Sequence, residues 1–582
     1  MKPLIDPRHG DLEDDASSTK RRSLLSLAGS LLAEISLPKL ALSWTLLFLV
    51  PGLLLGLTPL VASAWVSLVK YKIASPLIGI WPALLLMVVL AAGFFGARSL
   101  LRMAENSFWS LNSLAVEPVY VACREGLRHL AEKLLQSRLG KSQLAMLRAV
   151  IAGAAGIIIF GIASIVIWIF WSSSRWLGNF VDLASPHDLA SVAIINSIVV
   201  VSAYLAVAAL VWAFADATMP QPLDFGPFPA NSVTGRTWRV AHLSDIHVVG
   251  ERYGFRIESG RSGPRGNGRL SRVLELLDVI HTNNPLDFIL ITGDMTDAGR
   301  SAEWSELLKA IAVYPRLAER ILMLPGNHDL NIVDRANPAR LDLPMSPNRK
   351  LRRFRFLSGV EAFHGERVRL VDQIGGRVAG SLSEALRPHH QEIARFADVG
   401  RPRLSRALNE LWAAAFPMIL PPDRNDGLGV ILLNSNADTH FSFTNALGIV
   451  SAEQVRGIEI AAAQFPQAYW IIALHHHVVE YPKAAKTLSE RIGTALVNGN
   501  WFVRRLRAMG GRAVIMHGHR HIDWFGRCAE LTILSAPSPV MEATDDVSTY
   551  FYIHTLAAGA DGKFSLLAPE RVVVPGEPAA DE

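Results

Sequence analysis

The chain has 582 residues, too many for one ordinary domain, so two or more are expected. Half of the residues are hydrophobic and 19% charged, with a mean hydropathy of +0.26, apolar for a purely soluble protein. A net charge of +5 is too modest to imply a nucleic-acid partner, and two cysteines, Cys123 and Cys528, do not make a disulfide framework, which fits a reducing compartment.

The apolar excess lies before about residue 215. Residues 1–40 form a polar tail carrying Lys2, Arg8, Lys20, Arg21, Arg22 and Lys39. Four stretches then reach the roughly 20 apolar residues that a bilayer crossing needs. They lie near Leu42–Val69, Ile73–Gly96, Ala149–Trp171 and Leu189–Phe214. Pro51, Pro59, Pro76 and Pro82 fall within the first two, where membrane helices tolerate proline. The first stretch starts too late and runs too long for a cleavable signal peptide. The segment between the second and third spans is rich in Arg and Lys, whereas the link between the third and fourth carries only Arg175. The positive-inside rule therefore puts the tail, the middle segment and everything after the fourth span in the cytoplasm, as for a bacterial inner-membrane protein; Lys70 and Lys72 dissent. Within the middle segment, Leu127, Leu130, Leu134 and Leu135 recur at helical spacing. That helix either lies on the membrane surface or forms a hairpin packed on the following domain. The spans hold almost no ionisable residues, which argues for an anchor and against a transport pathway.

Residues 216–237, with Pro220, Pro222, Gly226, Pro227, Pro229 and Gly235, read as a linker. From about Trp238 short apolar runs alternate with helical patterns such as Leu270–Ile280 and Glu303–Val313, the signature of an α/β domain. Five of the runs close on chemistry-bearing clusters: Asp245-Ile246-His247, Gly293-Asp294, Gly326-Asn327-His328-Asp329, His475-His476-His477 and Gly518-His519-Arg520-His521. Carboxylate, imidazole and amide side chains at strand ends converge on one sheet edge. Together they suit two divalent ions of the Mn, Fe or Zn type. His242 and His517, which flank two of the clusters, read as packing residues, and Asp297 as a loop-capping carboxylate.

The order D-x-H, GD, GNHD, H, GHxH resembles the calcineurin-like metallophosphoesterase superfamily, over roughly Trp238–Val574. The resemblance implies a four-layer α/β/β/α sandwich, preceded here by an all-α four-span transmembrane domain at 41–215. It implies that Asp245, His247 and His521 hold one metal, that Asn327, His475 and His519 hold the second, and that Asp294 bridges them with its two oxygens. A metal-bridging hydroxide would be the nucleophile, with His328 stabilising the transition state or protonating the leaving oxygen and Asp329 orienting His328. Class III cyclic nucleotide phosphodiesterases of this superfamily show His-His-Pro-Pro at the fourth cluster. This chain has His-His-His-Val, which leaves His475 and His476 both open as the ligand, with His475 preferred, and weakens cyclic nucleotide specificity.

A long interval separates His328 from His475, and a basic insertion occupies about 333–430 of a domain expected at 238–575. Arg349–Arg406 alone holds thirteen Lys and Arg against six acids. It reads either as a basic cap over an anionic substrate or as a salt-bridged helical face. Phe354, Phe356 and Phe363 read as its small core. The function expected is hydrolysis of a phosphodiester or phosphomonoester at a membrane, the substrate being nucleotide or lipid-linked. The alternatives are cleavage of a nucleotide-linked lipid pyrophosphate, or a non-catalytic membrane sensor on the same fold.

Overall fold

The computed structural model describes residues 50–73, 117–135, 141–178, 186–226, 235–250, 256–257, 266–334, 347–399, 411–439, 442–482, 496–541, 547–559 and 561–576, with a few isolated positions between them. The described residues fall into two compact units, Ile35–Met219 and a second that begins at Pro220. The predicted tail at 1–40 and nearly all of the predicted second span lie outside the described residues.

The first unit is helical: α1 (Val50–Ile73), α2 (Glu117–Leu135), α3 (Lys141–Trp171) and α4 (Pro186–Ala217). Three stretches, Val50–Ser67, Met146–Trp171 and Asp188–Ala217, are long and apolar enough to cross a membrane. Small residues let these helices pack closely. A Cβ on Gly56 would stand 1.8 Å from Ala193 O, and one on Gly156 would stand 2.4 Å from Ala213 Cβ. Buried Asn196 of α4 ties the packing: its Nδ2 donates to Gly56 O (3.1 Å) and Arg175 O (2.6 Å), and its Oδ1 accepts from Arg175 N (2.9 Å).

The second unit is built on two mixed sheets. One has the order β14-β13-β2-β3-β4, with β15 also on β13, and comprises β2 (Thr237–Leu243), β3 (Phe288–Ile291), β4 (Ile321–Met323), β13 (Thr549–Ala558), β14 (Phe564–Leu566) and β15 (Glu570–Val574). The other has nine strands in the order β1-β11-β12-β10-β9-β8-β7-β5-β6. These are β1 (Leu223–Asp224), β5 (Arg369–Asp372), β6 (Arg377–Ser381), β7 (Met418–Leu420), β8 (Leu428–Leu432), β9 (Tyr469–Ala473), β10 (Ala513–His517), β11 (Trp524–Cys528) and β12 (Leu531–Ser535). Strands β2, β3 and β4 run parallel, as do β8, β9, β10 and β12. Their apolar runs are buried on both faces, as parallel strands require, and one hydrophobic core joins Val240, Leu290 and Ile291 of the first sheet to Val430, Ile471 and Val514 of the second. The patterns at Leu270–Ile280 and Glu303–Val313 correspond to α5 (Gly268–Asn283) and α6 (Ser301–Ala312).

One expectation differs from what is observed, and one open alternative narrows. The linker contains structure: Leu223 and Asp224 pair with Arg527 and Gly526 of β11, and Cys528 Sγ donates to Pro220 O. Of the two readings of the basic insertion, its helix α7 (Pro347–His364) fits the salt-bridged helical face. Arg352 is 1% exposed; it pairs with Asp342, and its Nε donates to Leu330 O at 2.9 Å. Arg355 donates to Gly299 O at 3.2 Å, and Arg349 and Arg353 both pair with Asp438. Burying guanidinium groups is unfavourable unless they are paired, and here the pairing reaches the loops that carry Asp294 and Asn327. Phe354, Phe356 and Phe363 are buried in the main hydrophobic core, not in a separate small core of the insertion.

Candidate metal centre

Each of the five clusters begins at or just past the carboxyl end of a strand: β2, β3 and β4 in one sheet, β9 and β10 in the other. Backbone bonds knit the turns together. Asp245 N donates to Gly293 O, His247 N to Asp294 O, and Gly518 N to His475 O. The turns are sharp, and the residues in them carry unusual backbone angles: φ is 55° at Asp245, 48° at His247, 51° at Asp294, 74° at His519 and 51° at His521. Left-handed backbone at a non-glycine residue costs about 1–3 kcal/mol and persists only where the surroundings impose it. Glycine is required at two close approaches. A Cβ on Gly326 would meet Asp294 Oδ1 at 2.1 Å, and one on Gly518 would meet Ser244 Oγ at 1.8 Å.

The side chains converge in two groups. Asp245, His247 and His521 bring donor atoms within 4.8 Å of one another, and so do Asp294, His475 and His519; a third set, His247, Asp297 and His328, meets the same distance and shares His247 with the first. In the second group His475 Nε2 lies 3.2 Å from Asp294 Oδ2, 3.1 Å from Asn327 Oδ1 and 3.1 Å from His519 Nδ1. In the first, His521 Nε2 is 3.4 Å from Asp245 Oδ1. Asp294 stands between them through a single oxygen: Oδ2 is also 3.8 Å from His247 Nε2, while Oδ1 accepts from His328 N at 2.8 Å. Asp245, His247, Asp294, Asn327 and His475 are buried, whereas His519 and His521 are half-buried, so the group opens toward the last cluster.

The fourth cluster divides its histidines by orientation. His475 Nδ1 donates to Thr292 O at 2.7 Å, which turns Nε2 into the group. His476 instead directs Nδ1 to Ser435 Oγ at 2.9 Å, and His477 approaches Glu480 at 3.4 Å.

The orienting part that the resemblance gave to Asp329 falls to the backbone of Asp297. Asp329 does not touch the His328 ring. It accepts from the backbone of Thr296 and Gly326 and from Thr296 Oγ1, stapling the two loops. Asp297 does the orienting: its carbonyl oxygen lies 2.7 Å from His328 Nδ1, and its Oδ1 lies 3.4 Å from His247 Nδ1. Its Oδ2 accepts from Ile257 N at 2.6 Å. His242 and His517 are buried outside the two groups, and His242 Nε2 meets Thr292 Oγ1 at 3.2 Å.

The electrostatics suit cations. Burial opposes ionisation of Asp294, but the His475 and His328 imidazoles overcome it and hold the carboxyl well below its usual range. Burial, reinforced by neighbouring imidazoles, keeps His247 and His519 below the ordinary histidine value, so both are neutral. His475 is the exception: burial works against its charge, yet Asp294 and Asp245 raise it to about 9. Asp245 Oδ1, His247 Nε2 and His519 Nε2 are buried without a hydrogen-bond partner. Buried lone pairs left facing one another are unfavourable unless something positive lies between them, so the donor set fits divalent ions.

The comparisons with known proteins agree with this chemistry. Residues 239–523 match the family model described as calcineurin-like phosphoesterase. A curated relative described as a probable cyclic nucleotide phosphodiesterase, from Coxiella burnetii, is 28% identical over 103 residues. That match covers 18% of this chain, which spans about a third (36%) of the relative's length. A dimetal phosphatase from Danio rerio aligns at 10% identity and a TM-score of 0.33, covering 58% of this chain and 99% of the other. A sulfate thiohydrolase from Thermus thermophilus aligns at 11% identity and a TM-score of 0.27, covering 61% and 58%. Scores this low add nothing to the assignment, which rests on the family match and the motif order. Over residues 239–523 this chain is thus similar to the calcineurin-like phosphoesterases, in family model and in motif order.

Proposed function

We propose that the chain is a membrane-anchored phosphoesterase. In this reading two divalent ions are held by Asp245, His247, Asp294 and His521 on one side and by Asp294, Asn327, His475 and His519 on the other. The observation that carries it is the position of Asp294 Oδ2, within 3.2 Å of His475 Nε2 and 3.8 Å of His247 Nε2. Ions bound there supply Lewis acidity and lower the pKa of a water for attack at phosphorus. The chain's own residues do the rest. Asn327 offers a neutral amide oxygen, which limits the negative charge facing an anionic substrate. His328 Nδ1–H is committed to Asp297 O, so Nε2 is the nitrogen that stabilises charge or protonates the leaving oxygen.

The Coxiella relative's name favours a phosphodiester substrate. The buried pairing of α7 favours reading its arginines as support for the loops. Two sheets sharing one core support the four-layer α/β/β/α sandwich as the fold. The apolar stretch at 73–96 joins the three spans as a fourth, with 1–40 as a cytoplasmic tail and the catalytic unit on the same side, on the positive-inside argument.

The test is hydrolysis of bis(p-nitrophenyl) phosphate by the full-length chain in detergent with Mn²⁺. Asp294→Asn is expected to lower the rate about 10²–10³-fold, the range for removing one electrostatic contributor. No hydrolysis by the wild type with Mn²⁺, Fe²⁺ or Zn²⁺, over mono- and diesters, would sink the enzymatic reading in favour of a binding module.

A further inference from the structure

The helix α2 is built inside out. Its charged face is buried: Tyr120 is 1% exposed, Glu125 1%, Arg128 7% and Glu132 6%. Its opposite face is apolar and open, with Val119 46% exposed, Leu130 58% and Leu134 74%. At 100° per residue these three fall within a stripe about 60° wide that also contains Cys123.

The buried face fixes where the helix lies. Glu132 Oε1 accepts from Arg148 Nε at 3.2 Å and from Arg128 Nε at 2.9 Å. Toward the start of α2, Tyr120 Oη donates to Asp216 Oδ2 at 2.9 Å, and Arg124 pairs with the same carboxylate. Arg148 lies inside the apolar stretch Met146–Trp171, and Asp216 inside Asp188–Ala217. Asp216 is one turn beyond Ala213, which faces Gly156 of α3. So α2 folds back along the first turns of α3, beside the last turn of α4, instead of leading away from them. Charges at the ends of the spans are paired with α2, and Val119, Leu130 and Leu134 form an outward apolar stripe flanked on one side by exposed His129 and Lys133.

We propose that α2 is embedded in the bilayer, its Val119–Leu134 face in contact with the acyl chains of the leaflet where α3 begins and α4 ends. The inference rests on the reading of α3 and α4 as membrane spans. The occupant is lipid because the stripe lies level with span residues exposed in the same way, Met146 at 72% and Val150 at 62%. The buried ion pairs act as a clasp that lets an apolar-out helix hold a fixed depth, since ionisable groups within a membrane persist only when paired.

The test uses the full-length chain with Cys123→Ser and Cys528→Ser in nanodiscs of phosphatidylcholine and phosphatidylglycerol. Single cysteines replace Leu130, Leu134 and, as a span reference, Ile165, which is 58% exposed on α3. A nitroxide is attached to each. At 130 and 134, collision with oxygen is expected to exceed collision with a water-soluble nickel chelate, as at 165. If 165 behaves as lipid-facing while 130 and 134 favour the chelate, or are shielded from both reagents by protein, α2 is not lipid-embedded and the proposal fails. If 165 itself favours the chelate, the reading of the spans fails first and the proposal with it.

Discussion

Both units bury polar side chains, and they do so in opposite ways. In the helical unit Asn196 satisfies three hydrogen bonds and Arg128 answers Glu132 and Glu125. In the catalytic unit the carboxylates and imidazoles of the five clusters face one another with lone pairs unmet. Among the described residues, every buried side-chain nitrogen or oxygen without a hydrogen-bond partner lies in the unit beginning at Pro220. Polar burial that is fully matched holds helices together. Polar burial that is unmatched, on strained backbone, marks a place where something else is meant to bind.

That contrast can be broken from either side. The largest structural effect is expected at Arg352, whose matched burial lies beside the unmatched cluster. Arg352→Met removes the buried ion pair with Asp342 and the bond to Leu330 O, and should destabilise the catalytic unit by about 3–5 kcal/mol in denaturant unfolding. Arg352→Lys should recover part of that. Next is Asp297→Asn, which weakens the hold on His247 while the backbone carbonyl on His328 remains. Metal affinity should fall about 10–100-fold by calorimetry, with a smaller change in thermal midpoint. Third is pH. His475 carries a raised pKa of about 9, so its proton competes with metal: apparent affinity should be highest above pH 9 and fall about tenfold per unit as pH drops below it, if one proton is displaced. Titrations in buffers of different ionisation enthalpy would count that proton, and no release would show that His475 binds nothing. The smallest effect is expected in the helical unit, where Asn196→Ala should cost about 1 kcal/mol in detergent unfolding and leave hydrolysis unchanged.

The ligand-bearing turns were legible because a short apolar run ends directly on a metal-competent residue, with a stop at Gly, Pro or Ser between them at four of the five; at the fourth, Leu474 leads straight into His475. Helices α5 and α6 were legible from period alone, to within about three residues. Strand β1 was not, because Pro220, Pro222 and Gly226 read as punctuation while the partner that makes a strand of Leu223–Asp224 sits far along the chain in β11. The role of α7 was hidden for a related reason. A run of arginines looks the same in sequence whether it faces water or, as here, the carbonyls of Leu330 and Gly299. That Asp297 and not Asp329 orients His328 turned on loop backbone direction, which no spacing encodes.

The left-handed backbone at Asp245, His247, Asp294, His519 and His521 makes stability and activity separable targets in this protein. Glycine or asparagine adopts those angles more readily than the residues present. A library selected for heat resistance without regard to hydrolysis should therefore accumulate Gly and Asn at those five positions, and each gain in melting temperature there should come with a silenced centre. A library selected for turnover should leave all five untouched and find its stabilising changes elsewhere.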